Sequence, residues 1–133
     1  MALKARQCLA TSLLARGLIA AIIAVASFGL SARQPLRTES ISRSELPAEA
    51  QATERLIRAG GPFPHFRDGA LFANRERSLP WSVRGYYREY TVASPATRNR
   101  GARRMVCGGV QGTEPDACFY SDDHYASFKR LAK

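Results

Sequence analysis

The chain has three cysteines, two histidines and one tryptophan in 133 residues, and each scarcity removes a class of protein. With so few histidines and no C-x-x-C spacing, a zinc site of ordinary kind is not expected. No internal repeat or low-complexity tract is present, which sets aside solenoids and arrays. Long apolar runs are missing as well. The main apolar stretch, "GLIAAIIAVASFGL" at 17–30, has fourteen residues without a charge. A bilayer span needs roughly 20.

What that stretch does resemble in length is the apolar core of a signal peptide. Lys4, Arg6 and Arg16 precede it without an acid, and small residues follow at Ser31 and Ala32. "AVA" at 24–26 is a rival cleavage point, and an uncleaved anchor helix is the alternative to export. The expectation is therefore a signal peptide over 1–32, a secreted product, and no stable membrane association once the signal is removed.

The remaining 101 residues suffice for one compact core, and a monomer is expected. They hold 17 Lys and Arg, 15 of them Arg, against 11 acids. A basic surface of this kind favours a polyanionic partner, nucleic acid or an anionic membrane. Cys8 falls in the presumed signal, which leaves Cys107 and Cys118 flanking the turn-rich "GGVQGTEPDA". In an exported domain, that arrangement is most economically a disulfide across a hairpin.

The segment 33–43, "RQPLRTESISR", is polar and patternless and reads as a flexible lead-in, with the folded domain over 44–133. Helical signals follow in "ELPAEAQATERLIRAGG": Pro47 suits a first turn, Glu45 and Glu49 an N-terminus, and Gly60-Gly61 a stop. The predicted stripe is Ala52, Leu56 and Ala59, with Ala48 and Thr53 nearby and Leu56 and Ile57 facing the core. "GGPFPHFRDG" is a loop. Strands are predicted in "ALFANRE", "GYYREYTV", "RRMVCGG", "ACFYSD" and "HYASFKRLA". The fold class that follows is α+β, one N-terminal helix packed on a small antiparallel sheet.

Strand alternation sets Tyr87, Glu89 and Thr91 on one face and Tyr86, Arg88, Tyr90 and Val92 on the other. A meander through "SPATRNRG" brings Arg100 and Arg104 back beside Glu89. Spacing alone makes this an ordinary cross-strand ion pair. "SDDHYASF" adds His124, a group able to exchange a proton near neutral pH. A carboxylate, a histidine and two arginines in a basic exported domain are the groups that metal-free phosphodiester cleavage of RNA requires. His65 is the competing acid, and its proline-flanked loop favours a packing or surface role. Trp81, after Leu79-Pro80, is expected to pack, with an exposed rim position as the alternative.

"GPFP", "LFANRERSLP", "YYREYTV", "RNRGARR" and "DDHYASF", in this order, resemble the microbial guanyl-specific ribonucleases, in particular the small secreted enzymes of streptomycetes. The resemblance runs from about Leu46 to Leu131 and implies the microbial ribonuclease fold. It implies Glu89 as general base, His124 as general acid, and Arg100 and Arg104 on the scissile phosphate, with Tyr125 closing the site. Glu76 matches the carboxylate that accepts hydrogen bonds from guanine N1–H and the exocyclic amine. Main-chain N–H groups around Asn74 and Arg75 would meet O6, and Phe72 and Arg75 would sandwich the base. No metal and no cofactor are implied. The implied partners are single-stranded RNA as substrate and, because some members have a dedicated inhibitor, a barstar-like protein.

Two departures stand out. Ala73 replaces a side chain that is often polar in the family, and the Cys107–Cys118 pair differs from the terminal disulfide of the streptomycete relatives. The alternatives to an enzyme are a nonenzymatic RNA-binding module and a cationic toxin-like protein on the same fold.

Overall fold

The computed structural model describes residues 38–133. The predicted signal peptide, with both candidate cleavage points, lies outside the described residues, as do positions 33–37. The described residues form one α-helix, α1 (Ala48–Ala59), and six strands: β1 (Glu39–Ile41), β2 (Ala70–Leu71), β3 (Tyr87–Thr91), β4 (Arg104–Gly108), β5 (Ala117–Ser121) and β6 (Lys129–Leu131). The strands make a single sheet in the order β1-β6-β5-β4-β3-β2. Its pairings are antiparallel except β1 with β6, which is parallel. This is the expected α+β architecture with a six-stranded, mostly antiparallel sheet.

The period-2 alternation of the central strands divides the core in two. Tyr90 and Val92, Met105 and Cys107, and Cys118 and Tyr120 meet Leu46, Ala50 and Ile57 from the helix side. Tyr87, Val106 and Phe119 point the other way, where Leu79 and Phe128 from two loops cover them. Cys107 and Cys118 are directly opposite each other in the β4–β5 register and form the disulfide. The predicted hairpin bridge is thus present, on the helix side of the sheet.

The helix ends where the sequence indicates. Gly60 adopts φ +79°, and its N–H donates to Ile57 O at 3.1 Å while that of Gly61 donates to Leu56 O at 2.9 Å. The buried stripe, however, is Ala50, Thr53, Glu54 and Ile57. Leu56 and Ala52 are half-buried, and Ala48 and Ala59 are exposed. The displacement has a polar cause. Glu54 is buried because Arg43 (2.8 Å) and Arg58 (3.2 Å) both reach its carboxylate, so the stripe turns toward a charge that apolar counting omits.

Three further expectations are corrected. Within the supposed flexible lead-in, Glu39–Ile41 is a strand, and a short 3-10 turn covers Arg43–Glu45. Its order comes from backbone pairing with β6 and from Ala132 N–H donating to Ile41 O at 2.9 Å, which local composition does not reveal. "ALFANRE" is a strand only at Ala70–Leu71, and "HYASFKRLA" only at Lys129–Leu131. In both, side-chain hydrogen bonds hold the rest as loops. Trp81 does not pack; it is 87% exposed.

Candidate active site

The sheet face away from α1 carries the charged residues. Glu89 is 6% exposed at the centre of β3, with Val106 opposite it on β4. Its Oε1 lies 3.5 Å from Arg67 Nη2 and 3.6 Å from Arg100 Nη2, and its Oε2 accepts a hydrogen bond from Tyr125 Oη at 2.9 Å. Arg104 joins this group through the same phenol, donating from Nε to Tyr125 Oη at 3.1 Å. One buried carboxylate thus stands among two guanidinium groups in direct ion pairing and a third linked through a hydroxyl. A buried carboxylate is tolerated only where it is paired in this way.

Each arginine is held by its own element. Arg104 opens β4 and is 3% exposed; its Nη1 donates to the carbonyls of Gly101 at 2.9 Å and Arg103 at 2.7 Å. Arg100 lies in the β3–β4 connection, and its Nε donates to Thr91 Oγ1 at 2.7 Å. The turn between them depends on Gly101 at φ +64°, where an added Cβ would fall 2.7 Å from Ser94 Oγ. Arg100 Nη2 is buried and makes no hydrogen bond within the described chain. It keeps a donor for an incoming anionic oxygen.

The third arginine, Arg67, comes from the loop between α1 and β2. Asp68 pins that loop: its Oδ1 accepts from Thr91 N at 2.7 Å and its Oδ2 from His65 N at 3.2 Å. Gly69 N–H donates to Glu89 O at 2.8 Å, so the loop is fastened to the residue that Arg67 faces. His65 therefore contributes a backbone donor to the brace.

His124 and Tyr125 follow β5. Both have positive φ, 57° and 72°, and His124 N–H donates to Ala102 O at 3.2 Å. Their rings meet edge to face at 4.9 Å, with His124 exposed and Tyr125 half-buried. Burial raises the Tyr125 phenol above its ordinary pKa, and the hydrogen bond to Glu89 raises it further against the lowering effect of Arg104. The phenol therefore stays protonated and can keep donating to Glu89. Tyr125 is the physical link between the carboxylate and the imidazole.

Next to this charged centre lies the loop 72–80. Phe72 stacks on Tyr125 at 5.4 Å and 28°, and meets Phe128 edge-on at 6.0 Å. Asn74 takes φ 47° and braces the loop across its width: Nδ2 donates to Leu79 O at 2.9 Å, and Leu79 N–H donates to Oδ1 at 3.0 Å. Its side chain is thereby committed to the loop itself. Arg75 and Glu76 are exposed at the tip. Glu76 lines a cavity of about 290 Å³ together with Thr38, Arg77, Ser78, Ser127 and Phe128.

Sequence reasoning thus placed Glu89, Arg100, Arg104 and Tyr125 together, with His124 against Tyr125. It missed Arg67, because "GGPFPHFRDG" reads only as a loop; its available signal was the Asp68-Gly69 pair before a strand, which ties the loop down. It set Thr91 on the Glu89 face but missed that its hydroxyl orients Arg100.

A family model described as ribonuclease matches residues 31–132. Guanyl-specific ribonuclease Sa of Kitasatospora aureofaciens is 47% identical over 92 residues, covering 69% of this chain and 92% of that protein. Guanyl-specific ribonuclease Sa3 of the same organism is 50% identical over 88 residues, but the chain spans only 60% of its length. Among solved structures, ribonuclease Sa2 with guanosine-2'-cyclophosphate superposes with a TM-score of 0.64 at 42% identity, over 71% of this chain and 96% of that one. Fold and site together define a small α+β ribonuclease. Within that class, the chain belongs to the microbial guanyl-specific ribonuclease family.

Proposed function

We propose that this chain is a secreted, metal-independent endoribonuclease that cleaves single-stranded RNA 3′ of guanosine. The observation that carries the proposal is the buried Glu89 carboxylate faced by Arg67 and Arg100, and linked through Tyr125 to Arg104. A base placed among arginines fits a substrate whose attacking hydroxyl neighbours an anionic phosphate. The arginines hold the phosphate oxygens and stabilise the charge that develops on them. Glu89 takes the proton from the ribose 2′-OH, the 2′-oxygen attacks phosphorus, and His124 protonates the departing 5′-oxygen. The 2′,3′-cyclic phosphate formed is then hydrolysed to a 3′-phosphate with the two residues exchanging roles. Charge stabilisation by guanidinium groups leaves no step that needs a metal.

Guanine selection falls to the 72–80 loop. Guanine offers two adjacent donors on its Watson–Crick edge, and the exposed Glu76 carboxylate offers two acceptors. Adenine would leave the carboxylate unpaired. Main-chain N–H groups at Asn74 and Arg75 serve O6 in this reading, and Phe72 and Arg75 hold the base faces. The enzyme acts as a monomer, and a barstar-like inhibitor would meet the same arginine cluster with acidic groups.

The deciding experiment is cleavage of the dinucleotides GpN, ApN, CpN and UpN in excess EDTA. GpN is expected to be preferred at least about 10²-fold, and Glu76→Gln to erase most of that preference. Dependence on added metal, or equal rates on all four, overturns the reading. Retention of RNA without cleavage identifies a binding module instead.

A further inference from the structure

Asp123 touches neither Glu89 nor the arginines, yet its carboxylate spans the whole turn that carries His124 and Tyr125. Its Oδ1 accepts hydrogen bonds from Ser121 Oγ and from Ser127 N, both at 2.9 Å. Its Oδ2 accepts from Ser127 Oγ. Ser121, 1% exposed at the end of β5, turns its Oγ to accept the Tyr125 N–H at 2.9 Å. One carboxylate thus fastens the last residue of the strand to the far side of a loop whose two central residues both have positive φ. Two consecutive side-chain-bearing residues hold that conformation only where the surroundings impose it.

We propose that Asp123 is a positioning residue for the reaction: it sets the turn that delivers His124 and Tyr125 to the phosphate side while fixing Ser127 and Phe128 as a wall of the base-side cavity. The inference rests on the function proposed above. The loop divides at the clamp. Up to Tyr125 it presents the imidazole and the phenol that reaches Glu89 at 2.9 Å; from Ala126 on it lines the cavity shared with Glu76. General acid catalysis needs the imidazole within hydrogen-bond reach of the leaving oxygen. A misplacement of about 1 Å costs up to about 10²-fold in rate. The arginine cradle has supports of its own, namely Thr91, the carbonyls of Gly101 and Arg103, and the Asp68 brace, and only the Arg104 Nε bond to Tyr125 Oη passes through the clamped turn. Losing the clamp therefore disturbs the acid and the cavity wall while leaving Arg100 and Arg67 in place.

The test compares wild type with Asp123→Ala, Asp123→Asn and Ser127→Ala on the dinucleotide GpC, with inorganic phosphate as a competitive probe of the cradle. Asp123→Ala is expected to lower kcat by about 10- to 100-fold. Its KM for GpC should rise, and its phosphate inhibition constant should stay within about twofold of wild type, a split that general loosening does not produce. Asp123→Asn keeps an Oδ1 acceptor for Ser121 and Ser127 and should recover to within about fivefold of wild type, whereas Ser127→Ala, which loses a single donor, should fall by about two- to fivefold. Thermal unfolding followed by circular dichroism accompanies each variant. Wild-type kcat in Asp123→Ala overturns the proposal. So does a joint loss of kcat, phosphate affinity and cooperative unfolding, or an asparagine variant no better than alanine. If wild type itself fails to cleave GpC, the proposed function falls and this inference with it; an active wild type with unaffected variants sinks the inference alone.

Discussion

The two faces of the sheet use the same three strands for opposite purposes. On the helix side, β3, β4 and β5 present Tyr90, Met105, Cys107, Cys118 and Tyr120 to α1, and a disulfide joins two of them. On the other side they present Glu89, Arg104 and Ser121 beside Tyr87, Val106 and Phe119, covered by loops instead of a helix. The first face buries apolar area and needs no exact partner for each group. The second buries charge, which is costly unless it is paired, and there Arg100 Nη2 alone is left with an ion pair and no hydrogen bond among the described residues. One face therefore supplies most of the cohesion, and the rigidity it lends the strands lets the other carry a paired carboxylate at fixed distances.

The comparison breaks most visibly through the proposed catalytic pair. Glu89→Gln and His124→Ala are each expected to lower GpN cleavage by about 10²–10⁴-fold, with RNA binding still detectable by gel shift. Full activity in both would dissolve the distinction between the faces. Ile57→Ala on the helix face should do the reverse, costing about 2–5 kcal/mol in urea unfolding while kcat of the folded fraction stays near wild type. Replacing Cys107 and Cys118 together by alanine should cost about 2–3 kcal/mol by the same measurement, again with little change in kcat at temperatures where the fold survives.

The smallest effect is one of pH. Hydrogen bonds from the Ser42 N–H and hydroxyl hold Glu45 below its ordinary pKa of 4.5, and the Ser127 hydroxyl and N–H hold Asp123 below 3.8. A carboxylate with a lowered folded-state pKa adds stability above its unfolded value and loses it as pH falls through the folded one. The thermal midpoint should thus be flat from neutrality to about pH 5 and then decline. Ser42→Ala and Ser127→Ala should each make the decline shallower. An unchanged slope in both would show that neither hydrogen-bond set matters to the folded state.

What the sequence made legible follows the same division. β3, β4 and β5 were readable because aromatic and β-branched residues alternate there, and the alternation itself assigned Glu89 and Thr91 to one face. α1 was readable from Pro47 and Gly60-Gly61, but its buried stripe only in part: Thr53 and Ile57 were, and Glu54 was not, since it is buried by two arginines, one of them outside the helix. β1 escaped notice because "ESI" is ordered by pairing with residues at the other end of the chain. The loop residues 72–76 and 124–128 looked like strands because their apolar content was visible and the clamps, Asn74 and Asp123, were not. Arg67 reaches Glu89 only because Asp68 bonds to a strand residue 23 positions away. Side chains that organise backbone at a distance are the part of this site that local pattern does not encode.

The disulfide has one more consequence, for proteolysis. Val110, at the tip of the β4–β5 hairpin, is 97% exposed, and the Cys107–Cys118 bond encloses that tip. A protease cutting there would separate Glu89, Arg100 and Arg104 in one fragment from His124 and Tyr125 in the other. The two pieces would stay covalently joined two strands deep in the sheet. A single nick in this hairpin would thus leave the proposed base and the proposed acid in one molecule, and reducing agent would be needed to part them.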